Sequence, residues 1–106
     1  MSQTFEQISP EEAKAIMDDN EEVTILDVRD SVEYREGHIE GAILVPLGEL
    51  EYAVESEIED YDATILVYCR SGVRSKAASS ILVEMGYTNV FEFGGILDWP
   101  YEIVTN

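Results

Sequence analysis

The sequence is poor in several residue types, and each shortage excludes a class of protein. Its 106 residues include one cysteine and one histidine, which excludes an internal disulfide and a cysteine-rich zinc or iron–sulfur centre. Only six residues are basic against 23 acidic ones, a formal net charge of −17. Such a surface disfavours nucleic acid and anionic membranes as partners. No apolar run is long enough to span a membrane, and no secretory signal pattern is present, so we expect a soluble, cytoplasmic protein.

Length and composition together indicate a single folded domain over residues 1–106. A chain of 106 residues can bury one hydrophobic core but is too short for two. Its hydrophobic content of 45% is ordinary for a globular protein and argues against disorder. We expect the domain to be a monomer or a weak dimer.

Apolar runs alternate with amphipathic stretches along the chain. Extended segments are predicted at Phe5–Ile8, Val23–Val28, Thr64–Cys69 and Val90–Phe93. A further brief strand is predicted to follow the turn that begins at His38 and to end at Pro46. Amphipathic or acidic segments between them are predicted to be helical, and Gly94 and Gly95 to form a turn. This alternation indicates an α/β domain with a mainly parallel sheet and helices on both faces.

The only cysteine, Cys69, stands where a predicted strand passes through a glycine-containing loop into a helix. Reactive groups of parallel sheets lie at the carboxyl ends of strands. Loop N–H groups and the helix dipole create partial positive charge at such a point. A thiol held there should have a lowered pKa. The alternative is a cysteine that packs as a small hydrophobe, and the flanking arginines and Gly72 favour the reactive thiol.

Basic residues are concentrated around this cysteine. Arg70, Arg74 and Lys76 are half of all the basic residues, and no acidic residue lies between Tyr68 and Val83. An otherwise acidic chain therefore carries one basic segment, which indicates an anionic substrate.

Several short motifs, taken together, identify a family resemblance. They are Asp27-Val28-Arg29, Glu33-Tyr34, Gly37-His38-Ile39-Glu40-Gly41-Ala42, Tyr68-Cys69-Arg70-Ser71-Gly72-Val73-Arg74-Ser75, Gly86-Tyr87, and Gly94-Gly95 with Trp99. In this order and spacing the chain resembles a single-domain rhodanese, a thiosulfate sulfurtransferase. The resemblance implies a rhodanese-like α/β fold with a five-stranded, mainly parallel sheet.

The resemblance also implies a reaction. Cys69 would take a sulfur atom from thiosulfate or a similar small donor as a persulfide and pass it to cyanide or a thiol, including a thiol on a protein. No metal or organic cofactor is implied. Residues implied to bind substrate are those that follow the cysteine: Arg70, Ser71, Gly72, Val73 and Arg74.

Other residues are given supporting or structural roles. Asp27 and Arg29 are interpreted as bracing the loop from the neighbouring strand. Arg74 either faces the substrate or ties the loop to a carboxylate such as that of Asp27. The single histidine, His38, is interpreted as a turn residue that packs locally, and Tyr68 and Trp99 as core residues.

The length of the loop separates sulfur transfer from related chemistry. Six residues run from Cys69 to Arg74 inclusive, whereas the phosphatases and arsenate reductases that resemble this fold have seven. A six-residue ring suits one sulfur atom, so phosphate chemistry is the less favoured alternative. A further alternative is a persulfide carrier or regulatory binding module with little activity of its own.

Overall fold

The structure is a computed structural model, and it describes residues 4–105. Its strands are β1 (Glu6–Gln7), β2 (Thr24–Asp27), β3 (Ile43–Leu44), β4 (Thr64–Cys69) and β5 (Asn89–Gly95). Its α-helices are α1 (Pro10–Asp19), α2 (Ser31–Glu36), α3 (Leu50–Glu57) and α4 (Val73–Met85). Short 3-10 helices lie at Leu47–Glu49 and Ile96–Asp98.

The strands form one five-stranded sheet in the order β1-β5-β4-β2-β3, and every neighbouring pair is parallel. Parallel neighbours need crossover connections, which the helices supply. The predicted α/β class and five-stranded sheet are therefore confirmed. β4 is the central strand, so Cys69 lies in the middle of the row formed by the carboxyl ends of the strands.

Alternating residues of β4 pack into two separate cores. Ile65 and Val67 belong to a cluster with Leu82 of α4 and Val54 of α3. Leu66, on the opposite face, belongs to a second cluster that includes Tyr68, Phe93, Trp99 and Ala13 of α1. Helices thus cover both faces, as predicted. All six residues of β4 except Thr64 are buried, which explains its unbroken apolar sequence.

Helix starts follow local sequence signals. Ser9 caps α1 by accepting from the Glu12 N–H at 3.0 Å, while the Glu12 carboxylate accepts from the Ser9 N–H at 2.8 Å. A serine followed three residues later by a glutamate at the start of an amphipathic segment is the sequence signature of this reciprocal capping box. Asp30 and Glu33 form the same arrangement at the start of α2. None of the helices within residues 4–105 combines the length and hydrophobicity needed to cross a membrane.

The prediction of a turn at Gly94 and Gly95 is wrong, because both residues belong to β5. Gly95 instead allows a close approach: a Cβ atom there would lie 2.0 Å from the carbonyl oxygen of Arg70. The same carbonyl accepts a hydrogen bond from the Leu97 N–H at 3.2 Å. β5 and the segment after it therefore fix the backbone immediately after Cys69.

Candidate active site

The loop between β4 and α4 surrounds the sulfur atom of Cys69. The Cys69 residue is 1% exposed, and the Gly72 N–H donates to its Sγ at 3.0 Å. Gly72 has a φ of +106° and is the N-cap of α4, with no side-chain capping bond. Glycine is the residue that adopts this left-handed backbone without strain. The start of α4 thus has no side-chain cap, and the N–H groups of Gly72 and of Ser75 in its first turn hydrogen-bond to Cys69 instead, at the positive end of the helix dipole.

Opposing effects act on the ionisation of the Cys69 thiol. Burial disfavours the charged form, whereas hydrogen bonds from the backbone N–H groups of Ser75, Gly72 and Ser71 favour it. The net result is a Cys69 pKa below its ordinary value. This direction agrees with the expectation from sequence, and it favours the thiolate, which is the nucleophilic form.

The predicted substrate-binding residues differ in their exposure. Arg70, Ser71 and Val73 are exposed, Gly72 is buried, and Arg74 is half-buried. An open cavity beside the loop is lined by Arg70 together with Arg29, Glu33, Glu36, Gly37, Ile96, Leu97 and Ile103. Arg70 is the residue of the loop that lines this cavity.

Arg74 is held by a carboxylate. Its two terminal nitrogens donate to the two carboxylate oxygens of Glu33 in α2, at 2.7 and 2.9 Å. This paired hydrogen bond lowers the pKa of Glu33 from an ordinary 4.5 to about 2, and the same bond raises the pKa of Arg74. Two parallel hydrogen bonds between a guanidinium and a carboxylate fix the relative orientation of the two groups as well as their separation. Arg74 is therefore tied to a carboxylate, which was one of its two predicted roles, but the partner is Glu33 and not Asp27.

Asp27 and Arg29 form a buried ion pair with each other. The Arg29 Nη2 donates to Asp27 Oδ2 at 2.7 Å and to the Gly37 carbonyl at 2.7 Å. The Arg29 guanidinium also lies 5.6 Å from the centre of the Tyr68 ring. Although burial opposes its charge, the bond to Asp27 raises the pKa of Arg29. The pair joins the end of β2 to the end of α2, the helix that carries Glu33.

The basic segment predicted from sequence is largely neutralised in the fold. Arg74 faces Glu33, and Lys76 Nζ lies 3.7 Å from Oε1 of the buried Glu92. In the described part of the chain Arg70 makes no salt bridge, and it is exposed. Arg70 is therefore the one arginine of the loop that is exposed and outside these ion pairs.

Sequence reasoning missed three residues that contact the loop or its arginine. Glu33 lies on a separate helix, 41 residues before Arg74 in the sequence. No sequence pattern connects these two residues, so Glu33 could not be identified as the partner of Arg74. Ser75 follows the six-residue loop directly, and its Oγ lies 3.5 Å from Cys69 Sγ. Glu92 lies between Phe91 and Phe93 in the sequence. A charged residue between two large apolar ones was the only sequence indication that its carboxylate is buried with a partner.

The aromatic and histidine residues behave as predicted. Tyr68 is fully buried and Trp99 is 9% exposed, and both belong to the second core cluster. His38 stacks on the Tyr34 ring at 3.7 Å between centroids, and its Nδ1 lies 2.8 Å from the Tyr34 carbonyl. It therefore packs locally.

Comparison with known proteins identifies the family. The rhodanese-like domain family matches residues 9–101, so this chain belongs to the rhodanese-like domains. It is 41% identical over 73 residues to the thiosulfate sulfurtransferase PspE of Escherichia coli, covering 69% of this chain and 70% of that protein. It is also 37% identical over 94 residues to the putative sulfur carrier protein YrkF of Bacillus subtilis, covering 88% of this chain but half of that protein.

Solved structures agree with this assignment. The structure of a rhodanese with anions from E. coli matches 78% of this chain and 98% of its own, with 37% identity and a TM-score of 0.74. The rhodanese-related protein from Thermoplasma volcanium matches 96% of this chain and all of its own, with 30% identity and a TM-score of 0.82. The rhodanese fold predicted from sequence is therefore confirmed.

The bond between Arg74 and Glu33 should make a pH-dependent contribution to stability. Because folding lowers the pKa of Glu33 to about 2, the contribution is complete above the ordinary pKa and is lost as the pH falls through the lower one. We expect Glu33→Gln to lower the urea midpoint at pH 7, and the difference from wild type to shrink steadily between about pH 5 and pH 2.

Glu36→Gln is the matched control, since Glu36 is an exposed carboxylate on the same helix and forms no salt bridge within residues 4–105. It should change the midpoint little at any pH. A difference for Glu33→Gln that stayed constant down to the acid limit would show that its carboxylate charge is not what stabilises the fold.

Proposed function

We propose that this protein is a thiosulfate sulfurtransferase that carries the transferred sulfur as a persulfide on Cys69. One observation carries the proposal: a buried thiol with a lowered pKa, facing the Gly72 N–H at 3.0 Å, lies inside a six-residue loop. The similarity to PspE, a thiosulfate sulfurtransferase, supports the same substrate class.

The first half-reaction loads the cysteine. The Cys69 thiolate attacks the outer sulfur of thiosulfate and forms an S–S bond. The sulfur–sulfur bond of thiosulfate breaks, and sulfite leaves with the electron pair. Arg70, which is exposed on the loop, offsets the donor's two negative charges. Loop N–H groups then hold the persulfide anion in the way that an oxyanion hole holds an alkoxide.

The second half-reaction discharges the cysteine. Cyanide or a thiolate attacks the outer sulfur of the persulfide and forms a bond to it. The S–S bond to Cys69 breaks, and the thiolate is restored as the leaving group. The same hydrogen bonds that lower the Cys69 pKa stabilise this leaving group. The chain has no second cysteine, so the acceptor comes from another molecule.

Loop length argues against phosphate chemistry. With six residues from Cys69 to Arg74, the N–H groups converge on a space suited to a single sulfur atom rather than to a tetrahedral oxyanion. Arg74, the arginine that ends the loop, is also paired with Glu33 and so does not face a bound phosphate. Both features support sulfur transfer.

A persulfide carrier is the second candidate, and the similarity to the putative sulfur carrier YrkF favours it. A carrier would also form the persulfide, but it would discharge it to one protein partner and slowly to small acceptors. The rate with cyanide therefore separates the two functions: turnover indicates an enzyme, and stable loading without turnover indicates a carrier.

Replacing the nucleophile tests the proposal directly. We expect the purified wild-type protein to form thiocyanate from thiosulfate and cyanide, and Cys69→Ser to form none above the uncatalysed rate, because a serine hydroxyl is not ionised near neutral pH. Ser80→Ala, on the exposed side of α4, is the control and should keep the wild-type rate. A Cys69→Ser protein that still turned over would overturn the assignment of the nucleophile.

The two loop arginines should have separable roles. Arg70→Ala should weaken transfer from thiosulfate by about 10- to 100-fold, the equivalent of a hydrogen bond to a charged group, with little effect on transfer from a neutral alkyl hydropersulfide. Arg74→Ala should lower both rates by the same factor, because its bond to Glu33 positions the loop.

Initial rates with each donor at sub-saturating concentration measure this difference. If Arg74→Ala selectively lost the thiosulfate reaction, Arg74 would bind the donor, and its pairing with Glu33 would not describe the working enzyme.

A further inference from the structure

Glu92 is a buried carboxylate to which the reaction described above assigns no role. It lies on β5 and is 2% exposed, although its neighbours on the strand, Phe91 and Phe93, are apolar. A buried carboxylate is costly unless charge and hydrogen bonds compensate it. Its partners therefore show what it does.

Those partners lead to the active site. Glu92 Oε2 accepts hydrogen bonds from the Ser75 hydroxyl at 2.6 Å and from the Gly94 N–H at 2.8 Å. Ser75 Oγ in turn lies 3.5 Å from Cys69 Sγ, as the acceptor of the thiol hydrogen. Cys69, Ser75 and Glu92 thus form a continuous chain of hydrogen bonds.

The Ser75 hydroxyl has one proton to donate and several acceptors around it. Besides Glu92, the carbonyl oxygens of Gly72 and Gly94 lie 3.1 and 3.3 Å from Ser75 Oγ. The carboxylate is the nearest acceptor and the charged one, so it takes the proton. A proton donated to Glu92 is not available to stabilise a negative charge on Cys69 Sγ.

We propose that Glu92 is a positioning residue which, by holding the hydroxyl proton of Ser75, limits how far Cys69 is stabilised as an anion. A thiolate of lower basicity leaves faster but attacks more weakly. Glu92 would then favour the loading half-reaction at the expense of the discharge half-reaction. That kinetic consequence rests on the proposed function, whereas the effect on the thiol does not.

Other charged groups around the network come from three elements. Lys76 of α4 faces Glu92 at 3.7 Å, and Arg74 of the same helix is paired with Glu33 of α2. Arg70 is exposed on the loop. The β1 residue in register with Glu92 is Gln7, which is uncharged. Glu92 is therefore the carboxylate joined to Cys69 through a single intervening hydroxyl.

The decisive experiment follows the rate of Cys69 alkylation by iodoacetamide against pH, a readout that needs no sulfur transfer. Glu92→Gln keeps the shape of the side chain but no longer draws the Ser75 proton as an anion does. We expect the midpoint of the profile to fall by at least about half a pH unit. In a Ser75→Ala background the same substitution should shift the midpoint by less than half as much, since the connecting hydroxyl is gone.

Glu92→Asp provides a second variant that keeps the charge. It shortens the side chain by one methylene and withdraws the carboxylate from Ser75, so its midpoint should fall in the same direction. An unchanged midpoint in Glu92→Gln, an equal shift with and without Ser75, or a wild-type midpoint in Glu92→Asp would each overturn the proposal. Circular dichroism establishes that each variant is folded before it is compared.

Single-turnover rates extend the test to the reaction. Glu92→Gln should discharge its persulfide to cyanide faster than wild type and load more slowly from thiosulfate at a pH where both proteins are fully ionised. If Glu92→Gln slowed loading and discharge by the same factor, Glu92 would not favour one half-reaction over the other, and the proposal would be contradicted. If neither protein formed a persulfide, the proposed function would fail while the alkylation profiles still decided the role of Glu92.

Discussion

The rest of the structure depends on one constraint: the Cys69 thiol is buried in the protein core, yet its charged form must be stabilised there. Burial raises the pKa of a thiol, and only donors already in place can reverse this effect. The Gly72 N–H at 3.0 Å and the uncapped start of α4 provide them. Their position requires β4 to end at Cys69, and it requires a residue without a side chain at Gly95, where a Cβ would overlap the Arg70 carbonyl.

Three carboxylates from three elements stabilise the region around this loop, and each has a cation as its partner. Asp27 holds Arg29, Glu33 holds Arg74, and Glu92 faces Lys76. The Asp27 pair links β2 to the end of α2, and the Glu33 pair links α2 to α4. The acidic character of the chain thus has a structural use next to its basic segment, and it leaves Arg70 exposed on the loop outside these ion pairs.

The features predicted from sequence are those that depend on neighbours along the chain. The buried β4 strand, the Ser9 cap and the six-residue loop are all local patterns, and the structure has each of them. The partners of the loop depend on which distant elements the sheet brings together. The sheet order places Glu92 beside the loop, and the crossover through α2 places Glu33 beside Arg74. No local pattern carries that information, and for this reason Asp27 rather than Glu33 was named as the example of a carboxylate that could hold Arg74.

The central claim is that a sulfur atom taken from a donor is carried on Cys69 as a persulfide before it is transferred. Intact-mass measurement after thiosulfate treatment, without an acceptor, tests it most directly. We predict a gain of about 32 Da on the single cysteine, lost again when cyanide is added. Thiocyanate formation with no such adduct at any time, or an adduct that cyanide does not remove, would contradict the account.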